Sequence, residues 1–503
     1  TQLLEPLVRQ GITTFVGGNC GMAMAPLGDR HRDDVQNYIN IFTQVNFDED
    51  VHWQRMGEYF SYVEDKGLLL NAAILAPHGV IRLNAMGLDT RTATEDEIAS
   101  MRTELAQALE EGAIGLSTGL QYMPGSQSDT RELLALGEVL KQHDGIFTSH
   151  LRSYSNTLDR AIDEVIEVGE KCDIRAQLSH LFWVPDYGFF APLMQKIIRG
   201  LAKLSKYWVP PIPLDQPMAM RLKQVENARK RGVAINADIM PTTTGFTHVL
   251  AFFPPWSVLG TVADVLERLQ SPEQRKRILH SIEHGKMEWP HTGPDAWTLN
   301  LFRIMGWGCA RIMSVATNKN KRLEGMSITE IAKERGVHPF DAVCDLLIEE
   351  NGHVLVFESM AEPDDAFTER SSFAGLAHPD VMISTDSILM GGGKPSQLFY
   401  GCYPRYLSRY VRDKQLLSLE QAVHKVSGLA AEHFHLRDRG HIVKNGYADV
   451  VIFDFSTLGT KATFKEPDHF PDGIEHVFIN GNHVVAGNTF TPDPLPGQLL
   501  RSN

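Results

Sequence analysis

The chain has 503 residues, of which 43% are hydrophobic and 22% charged, and its formal net charge is −14 at pH 7. This length suits one large barrel with an accessory domain, and the composition is ordinary for a globular protein. The negative charge argues against nucleic acid or an anionic membrane as partner, because both attract clustered positive charge. No apolar run is long enough to cross a bilayer.

The cysteines favour a reducing environment. Five occur, namely Cys20, Cys172, Cys309, Cys344 and Cys402. The odd number and the lack of a Cys-x-x-Cys pair argue against a disulfide framework or a structural zinc knuckle. We therefore expect a cytoplasmic location. The chain opens at Thr1 in a helical pattern that leads into a strand. This opening predicts a truncated start, so an N-terminal signal could have preceded it.

Short apolar runs rich in β-forming residues alternate with amphipathic segments along the chain. The runs lie at 12–18, 68–77, 113–118, 145–151, 174–181, 233–240 and 381–387. Segment 94–112 is typical of the helices between them, since Thr94 and Glu97 resemble a capping box and Gly112 marks the end. The alternation predicts βαβ units and a parallel sheet buried on both faces. The predicted fold class is α/β, a (β/α)8 TIM barrel.

The alternation weakens in two parts of the chain. Residues 241–350 contain Trp-rich loops and short helices, which predict an insertion or lid over one barrel face. Near the C-terminus the hydrophobic period changes to two, and Asn-Gly pairs at 445–446 and 480–481 indicate hairpin turns. We therefore expect a barrel domain over 1–437 and a small β-domain over 438–503.

Four residues that can bind a transition metal stand at the ends of predicted strands: Cys20, His150, His180 and Asp386. Singly, each has a simpler interpretation, because buried cysteines pack, strand-end histidines form hydrogen bonds and aspartates cap turns. Jointly they favour a metal site, since the carboxyl ends of barrel strands converge. Thiolate, neutral imidazole and carboxylate are all zinc ligands.

Ordered motifs resemble those of the N-acyl-D-amino-acid deacylases, a family of the metal-dependent amidohydrolase superfamily. They include GITTFVGGNCGMAMAP (11–26), EGAIGLSTGLQYMPG (111–125), FTSHLR (147–152), RAQLSH (175–180), STDS (384–387) and LRDRGHIVKNGYADVVIFD (436–454). The resemblance covers nearly the whole chain. It implies an amidohydrolase-type barrel with a small β-sandwich domain, of which 438–503 is the C-terminal part.

The resemblance also implies a reaction. Cys20, His150 and His180 match metal ligands, and Asp386 matches a general base that can touch a second metal. Tyr122 resembles a pocket residue that polarises the scissile carbonyl. Zinc lowers the pKa of bound water to about 7, so the implied reaction is hydrolysis of a small-molecule N-acyl-D-amino acid. The sequence does not indicate the oligomeric state.

The first barrel strand of the family, with its H-x-H pair for a second metal, has no counterpart here. One tight zinc site is therefore expected, and a second is doubtful. The pair His433 and His435 lies in a helical context after the last barrel strand, and we interpret it as surface helix. The missing strand predicts a gap between strands 12–18 and 381–387, with unpaired backbone groups on both sides.

The substrate-binding motifs of the family also differ in this chain. Leu181 and Phe182 stand where a His and a Lys often follow the second histidine ligand. An H-P-R motif, whose arginine can hold the substrate carboxylate, is replaced at 396–398 by Ser, Gln and Leu. Arg152 or Lys394 could substitute for that arginine.

Two alternative functions remain open at this point. The chain could open cyclic amides, as hydantoinases and dihydropyrimidinases do, or it could be a catalytically inactive binding relative. A panel of linear and cyclic substrates distinguishes the first alternative. Stoichiometric zinc would argue against the second, because a degenerate site should not hold it.

Overall fold

The structure is a computed structural model that describes residues 4–40, 43, 47–285, 287, 289, 291–293, 297–388 and 393–502. The helices are α1 (Glu5–Arg9), α2 (Arg32–Ile39), α3 (Phe47–Asp50), α4 (Met56–Lys66), α5 (His78–Met86), α6 (Glu95–Glu110), α7 (Thr130–Gln142), α8 (Leu158–Cys172), α9 (Ala191–Leu204), α10 (Gln216–Lys230), α11 (Val262–Gln270), α12 (Pro272–His284), α13 (Leu301–Met305), α14 (Ile328–Arg335), α15 (Pro339–Glu349), α16 (Phe373–Ala377), α17 (Gln397–Arg405), α18 (Leu419–Val426) and α19 (Gly428–His433). None of these helices is long and apolar enough to cross a membrane.

The strands are β1 (Thr14–Gly17), β2 (Asn71–Ile74), β3 (Ala76–Pro77), β4 (Gly115–Gly119), β5 (Ile146–His150), β6 (Ala176–Leu178), β7 (Ile235–Ile239), β8 (Gly245–His248), β9 (Ala310–Val315), β10 (Val354–Glu358), β11 (Val381–Ile383), β12 (Val450–Phe453), β13 (Ile474–Ile479), β14 (Asn482–Ala486), β15 (Thr489–Phe490) and β16 (Leu499–Leu500). Every predicted barrel strand is present in part.

The barrel strands pair in parallel in chain order. β1 pairs with β2, which continues as β3, and β4, β5, β6, β7 and β11 follow in turn. Helices connect successive strands, and α6 has the predicted Thr94–Glu97 capping box. Every residue of β4 and β5 is buried, as expected for a sheet covered on both faces.

The barrel is open on one side. In the described part of the chain β1 pairs with β2 and β11 pairs with β7, and no pairing joins β1 to β11. This agrees with the predicted gap. A cavity of about 1290 Å³ adjoins both strands, with Phe15 and Met382 among its lining residues. The cavity therefore extends from the carboxyl ends of the strands along the open edge.

A separate unit lies between β7 and β11. Its antiparallel sheet has the order β8, β10, β9, and Phe252, Phe302 and Phe340 belong to its own apolar core with helices α11 to α15. The sheet reaches Glu358, past the predicted end of the insertion at 350, because β10 pairs with both β8 and β9.

The C-terminal strands β12 to β15 form one four-stranded antiparallel sheet. The predicted turn at 480–481 joins β13 to β14, whereas 445–446 precedes β12 and joins no two described strands, so that hairpin prediction is wrong. Helix α1 packs on this sheet through Leu7 and Val8. The boundary at 437 between the two domains stays a prediction.

The interpretation of His433 as part of a surface helix is wrong. His433 ends α19 and is only partly exposed, and burial lowers its pKa to about 3. The residue is therefore not a surface histidine, although His435 beside it is exposed.

A buried ionic cluster joins α5 to α7. Nε2 of His78 lies 2.7 Å from Oε1 of Glu132, and the Arg82 guanidinium pairs with Oε2 of the same carboxylate. All three side chains lack exposed surface. Burial alone would raise the pKa of Glu132, but the hydrogen bonds and charges of His78 and Arg82 outweigh it and lower that pKa. The charged carboxylate compensates the buried guanidinium.

Glu132→Ala should lower the free energy of unfolding by about 3–5 kcal/mol, because it leaves the Arg82 guanidinium buried without a counter-charge. Urea denaturation followed by circular dichroism measures the change. Glu334→Ala is the control, since Glu334 pairs with Arg322 on the surface and such pairs contribute little. Equal midpoints for the two variants would contradict this role of Glu132.

Candidate metal centre

Three side chains meet at the carboxyl ends of the parallel strands. Cys20 lies in the single turn Asn19–Gly21 that follows β1, His150 is the last residue of β5, and His180 lies just past β6. Parallel barrel strands present their carboxyl ends on the same side. Pairing of β5 with β6 therefore places the two histidines side by side, and the predicted convergence is observed.

The ligand atoms of these residues form a tight triangle. Sγ of Cys20 lies 3.6 Å from Nδ1 of His150 and 3.5 Å from Nε2 of His180, and the two nitrogens are 2.9 Å apart. Zn–S and Zn–N bonds of about 2.3 and 2.0–2.1 Å separate the ligands of one tetrahedral ion by about 3.3–3.6 Å. The triangle therefore has nearly the dimensions of a zinc ligand set.

Neighbouring groups direct one nitrogen of each ring into the triangle. Nε2 of His150 lies 3.1 Å from Oε1 of Gln121, an acceptor, so Nε2 carries the proton and Nδ1 is free. The Tyr154 hydroxyl accepts from the Leu151 N–H and lies 3.0 Å from Nδ1 of His180. Donation from Nδ1–H to this hydroxyl leaves the Nε2 lone pair of His180 free. Such partners orient metal-binding histidines.

Burial disfavours charge on the donor groups. It raises the pKa of the Cys20 thiol, and the charges of Asp386 and Asp238 raise it further. Burial also lowers the pKa of His150, and the nearby His180 adds to that shift. Neutral imidazole is the form that binds metals, and a divalent cation would favour the thiolate. The donor set therefore fits zinc.

Asp386 lies in the same cavity but outside the triangle. It follows β11 and lines the cavity with the three donor residues. Burial raises the pKa of its carboxyl group, His180 lowers it and Asp238 raises it. Among the described residues, the ligand atoms within 4.8 Å of one another are those of Cys20, His150 and His180. Ligation of a metal by Asp386 stays a prediction.

Three of the candidate residues have a backbone conformation that side chains disfavour. The φ angle is 57° at Cys20, 37° at His180 and 43° at Asp386. The left-handed region costs roughly 1–2 kcal/mol for a residue with a Cβ. Residues in such conformations cluster at functional sites, where the surrounding structure holds them. Three of the residues with such a conformation in the described chain therefore lie at this site.

Tyr122 covers one ligand. Its ring centroid lies 4.7 Å from that of His150, and its hydroxyl accepts a hydrogen bond from Oγ1 of Thr247 over 3.4 Å. Burial raises the pKa of Tyr122 well above its usual value, and the charge of Cys20 adds to the shift. The hydroxyl therefore keeps its proton at neutral pH. Contact between this hydroxyl and a substrate carbonyl stays a prediction.

The structure contradicts the substrate-binding role predicted for Arg152. Its guanidinium is fully buried, pairs with Glu164 and donates to the carbonyl groups of Ser126 and Ser128. A guanidinium with all these partners is not available to a substrate. Although Arg152 follows a ligand closely in sequence, its side chain turns towards α8, which carries Glu164.

Lys394 is also outside the site. Its Nζ donates to the carbonyl oxygen of Lys465 over 3.0 Å, and the side chain does not line the cavity. The backbone N–H of Lys394 bonds to Met313 in β9, which holds this segment against the insertion. The ammonium group therefore does not line the cavity, and the predicted contact with a substrate carboxylate stays a prediction.

Two acidic residues that interact with the predicted site residues escaped prediction. Asp238 of β7 accepts hydrogen bonds from the N–H of His180 and from Nε2 of Gln177, each over 2.7 Å. It stands near a strand end, which is the signal that identified the histidines. Glu358 ends β10 of the insertion, where the barrel pattern gave no signal. Burial and the charge of Asp386 raise the pKa of Glu358 to about 7.

Comparisons of the sequence with known proteins identify relatives over nearly the full chain. The amidohydrolase family matches residues 345–485. The chain is 26% identical to the D-aminoacylase of Alcaligenes xylosoxydans xylosoxydans over 503 residues, which cover 99% of this chain and 83% of that protein. It is 27% identical to the N-acyl-D-glutamate deacylase of the same organism over 499 residues, 99% of this chain and 82% of that protein.

Solved structures agree with the sequence relatives. The N-acyl-D-glutamate deacylase of Bordetella bronchiseptica, in complex with zinc and a phosphonate mimic of the tetrahedral intermediate, has a TM-score of 0.73 at 25% identity, covering 99% of this chain and 84% of that one. A D-aminoacylase with a binuclear metal centre has a TM-score of 0.71 at 25% identity, covering 99% of this chain and 85% of that one.

These relatives confirm the resemblance that the motifs indicated. The chain is related over nearly its whole length to N-acyl-D-amino-acid deacylases, which hydrolyse carbon–nitrogen bonds other than peptide bonds. The amidohydrolase-type barrel with a small β-domain is confirmed as the fold.

Tyr154→Phe should weaken zinc binding about 10- to 100-fold, because Nδ1–H of His180 loses the hydroxyl that orients the ring. Competition with a chromophoric chelator measures the dissociation constant. Tyr207→Phe is the matched control, since Tyr207 is 88% exposed, and it should bind zinc like the unmodified chain. Undiminished affinity in Tyr154→Phe would show that packing alone orients His180.

Proposed function

We propose that this chain is a zinc-dependent hydrolase that cleaves N-acyl-D-amino acids into a carboxylate and a D-amino acid. The triangle of Cys20, His150 and His180, with Asp386 in the same cavity, is the observation that carries the proposal. Relatives named for this activity, at 26% and 27% identity over nearly the full chain, support it. These three residues would hold one zinc ion.

The side chains have separate tasks in the proposed reaction. Zinc, when bound, polarises a carbonyl group and lowers the pKa of water from 15.7 to about 7. Asp386 accepts a proton from the water that attacks the carbonyl carbon. The protonated Tyr122 hydroxyl donates towards the carbonyl oxygen, where negative charge develops. Asp386 then gives its proton to the nitrogen, because an amide nitrogen leaves only when protonated.

The charged residues around the donor triangle affect which substrates the cavity favours. Asp238, Glu358 and Asp386 line this part of the cavity. Arg439 is the one arginine or lysine among the described lining residues, and it pairs with Asp449. A second carboxylate, on the amino-acid side chain of the substrate, would therefore meet several acidic groups and no free cation among the described residues. Substrates with a neutral or basic amino-acid side chain should be preferred to acidic ones.

Asp386→Asn should lower kcat about 10²- to 10⁴-fold, because the amide cannot accept the proton of the attacking water. Bound zinc should remain near one equivalent, since the donor triangle is unchanged. Turnover of N-acetyl-D-amino acids and metal content by atomic absorption provide the two measurements. Asp65→Asn, at an exposed position of α4, is the control. Near-normal turnover in Asp386→Asn would remove this residue from its role.

The same assay separates the alternatives. Hydantoins and dihydropyrimidines serve as cyclic substrates beside linear N-acyl-D- and N-acyl-L-amino acids. Hydrolysis of the cyclic compounds alone would contradict the proposal in favour of a cyclic-amide hydrolase. Substoichiometric zinc together with no turnover of any amide would indicate a catalytically inactive binding relative.

At about pH 8.5, above the pKa of Glu358 and so with its carboxyl group mostly ionised, Glu358→Gln should lower KM for N-acetyl-D-glutamate by about threefold or more, because it removes one of the negative charges that repel the substrate. KM for N-acetyl-D-methionine should change less, since its side chain is neutral. Initial rates with both substrates provide the measurement, and Glu334→Gln on the surface is the control. Parallel changes for the two substrates would show that Glu358 does not act through charge.

A further inference from the structure

The segment 187–213, between β6 and β7, exposes an unusual amount of apolar surface. Phe189 is 93% exposed, Tyr207 88% and Trp208 58%. The segment contributes further exposed apolar side chains, namely those of Phe190, Leu193, Ile197, Leu204 and Ile212. Single exposed apolar residues are common, but a contiguous group of them marks an interaction site.

The inner face of the segment is already packed, so the exposed residues are not an unfilled core face. Ala191, Ile198 and Ala202 of α9 are buried. Gln195 donates to the carbonyl of Ile304 and Arg199 to that of Met305, which attaches the helix to α13. The outer residues are therefore presented on a fixed helix.

The solvent-facing side of α9 combines apolar and basic side chains. Leu193, Ile197 and Leu204 recur at intervals of four and seven residues, which aligns them along one side of a helix. Lys196 and Lys203 lie beside this apolar stripe at the same heptad interval. A stripe of apolar residues flanked by lysines is typical of helices that lie in a membrane interface.

The charge of the segment has the opposite sign to that of the chain. Residues 187–213 contain Lys196, Arg199, Lys203 and Lys206 and no aspartate or glutamate, whereas the chain carries −14. Lys196, Lys203 and Lys206 form no ion pair with a described carboxylate. Net charge argues against an anionic membrane only when the charge is evenly spread, and here it is not.

We propose that the 187–213 segment binds the surface of an anionic lipid bilayer. The apolar and aromatic side chains would enter the headgroup region, where tyrosine and tryptophan are favoured. The lysines would contact acidic headgroups. A second copy of the chain is a poorer partner for this face, because a two-fold contact would place lysines opposite lysines with no carboxylate of the segment to pair with them.

Flotation with phospholipid vesicles tests the proposal on the intact chain. Vesicles of phosphatidylcholine with phosphatidylglycerol should bind it, and vesicles of phosphatidylcholine alone should bind it at least about tenfold more weakly. High salt should release it, because exposed charges are screened. A blue shift of tryptophan fluorescence, reduced in Trp208→Phe, should accompany binding.

Two sets of variants assign the binding to this face. Lys196→Gln, Lys203→Gln and Lys206→Gln together should lower affinity for the anionic vesicles at least about tenfold. The matched triple control changes three exposed lysines elsewhere to glutamine, namely Lys171, Lys319 and Lys461, and should bind normally. Phe189→Ser with Trp208→Ser should also weaken binding, while circular dichroism confirms that all variants fold.

Three results would overturn the proposal. The folded chain could fail to bind anionic vesicles, it could bind neutral vesicles equally well, or the lysine variant could bind like its control. A concentration-dependent dimer in analytical ultracentrifugation that Phe189→Ser and Trp208→Ser abolish would assign the face to a second copy instead. None of these measurements depends on hydrolytic activity, so failure here would leave the proposed reaction untouched.

Discussion

Hydrogen bonds between neighbouring parallel strands bring together side chains that lie far apart in the sequence. The register of β4 with β5 and of β5 with β6 fixes where His150 and His180 emerge. Cys20 joins them because β1 pairs with β2 and its following turn contacts β4, where the Ser117 hydroxyl accepts a hydrogen bond from the N–H of Gly21. Residues that lie far apart in the sequence therefore come into contact at the carboxyl ends of the strands.

The charges of the metal-binding residues and of the acidic groups around them depend on one another. Burial raises the pKa of the Cys20 thiol and of the Asp386 and Glu358 carboxyl groups. The charge of Asp386 raises the pKa of Cys20 and of Glu358 further, and the charge of Asp238 does the same for Cys20 and Asp386. Taking several acidic groups out of water is unfavourable unless a positive charge compensates them. A divalent cation held by the thiolate and two imidazoles supplies such a charge, which is why the donor set and its acidic surroundings fit a metal centre together.

The barrel and the insertion supply different residues to the cavity. The strands carry the donor triangle and Asp386, whereas the antiparallel sheet of the insertion brings Glu358 and Thr247 to the same cavity. Helix α9 belongs to a second segment that extends from the barrel, between β6 and β7. Substitutions in these two segments alter substrate preference or surface properties without disturbing the strand register that holds the ligands.

The sequence by itself determined the strand order, the α6 capping box and the residues at strand ends, because hydrophobic periodicity and capping chemistry are local. Cys20, His150 and His180 could be named from position alone, since parallel strands leave one possible meeting place. Only the tertiary structure decided where longer side chains point. Arg152 turns to Glu164 and Lys394 to a backbone carbonyl, and Glu358 reaches the cavity from a distant sheet. These outcomes depend on partners brought by other elements, whose positions no local pattern encodes.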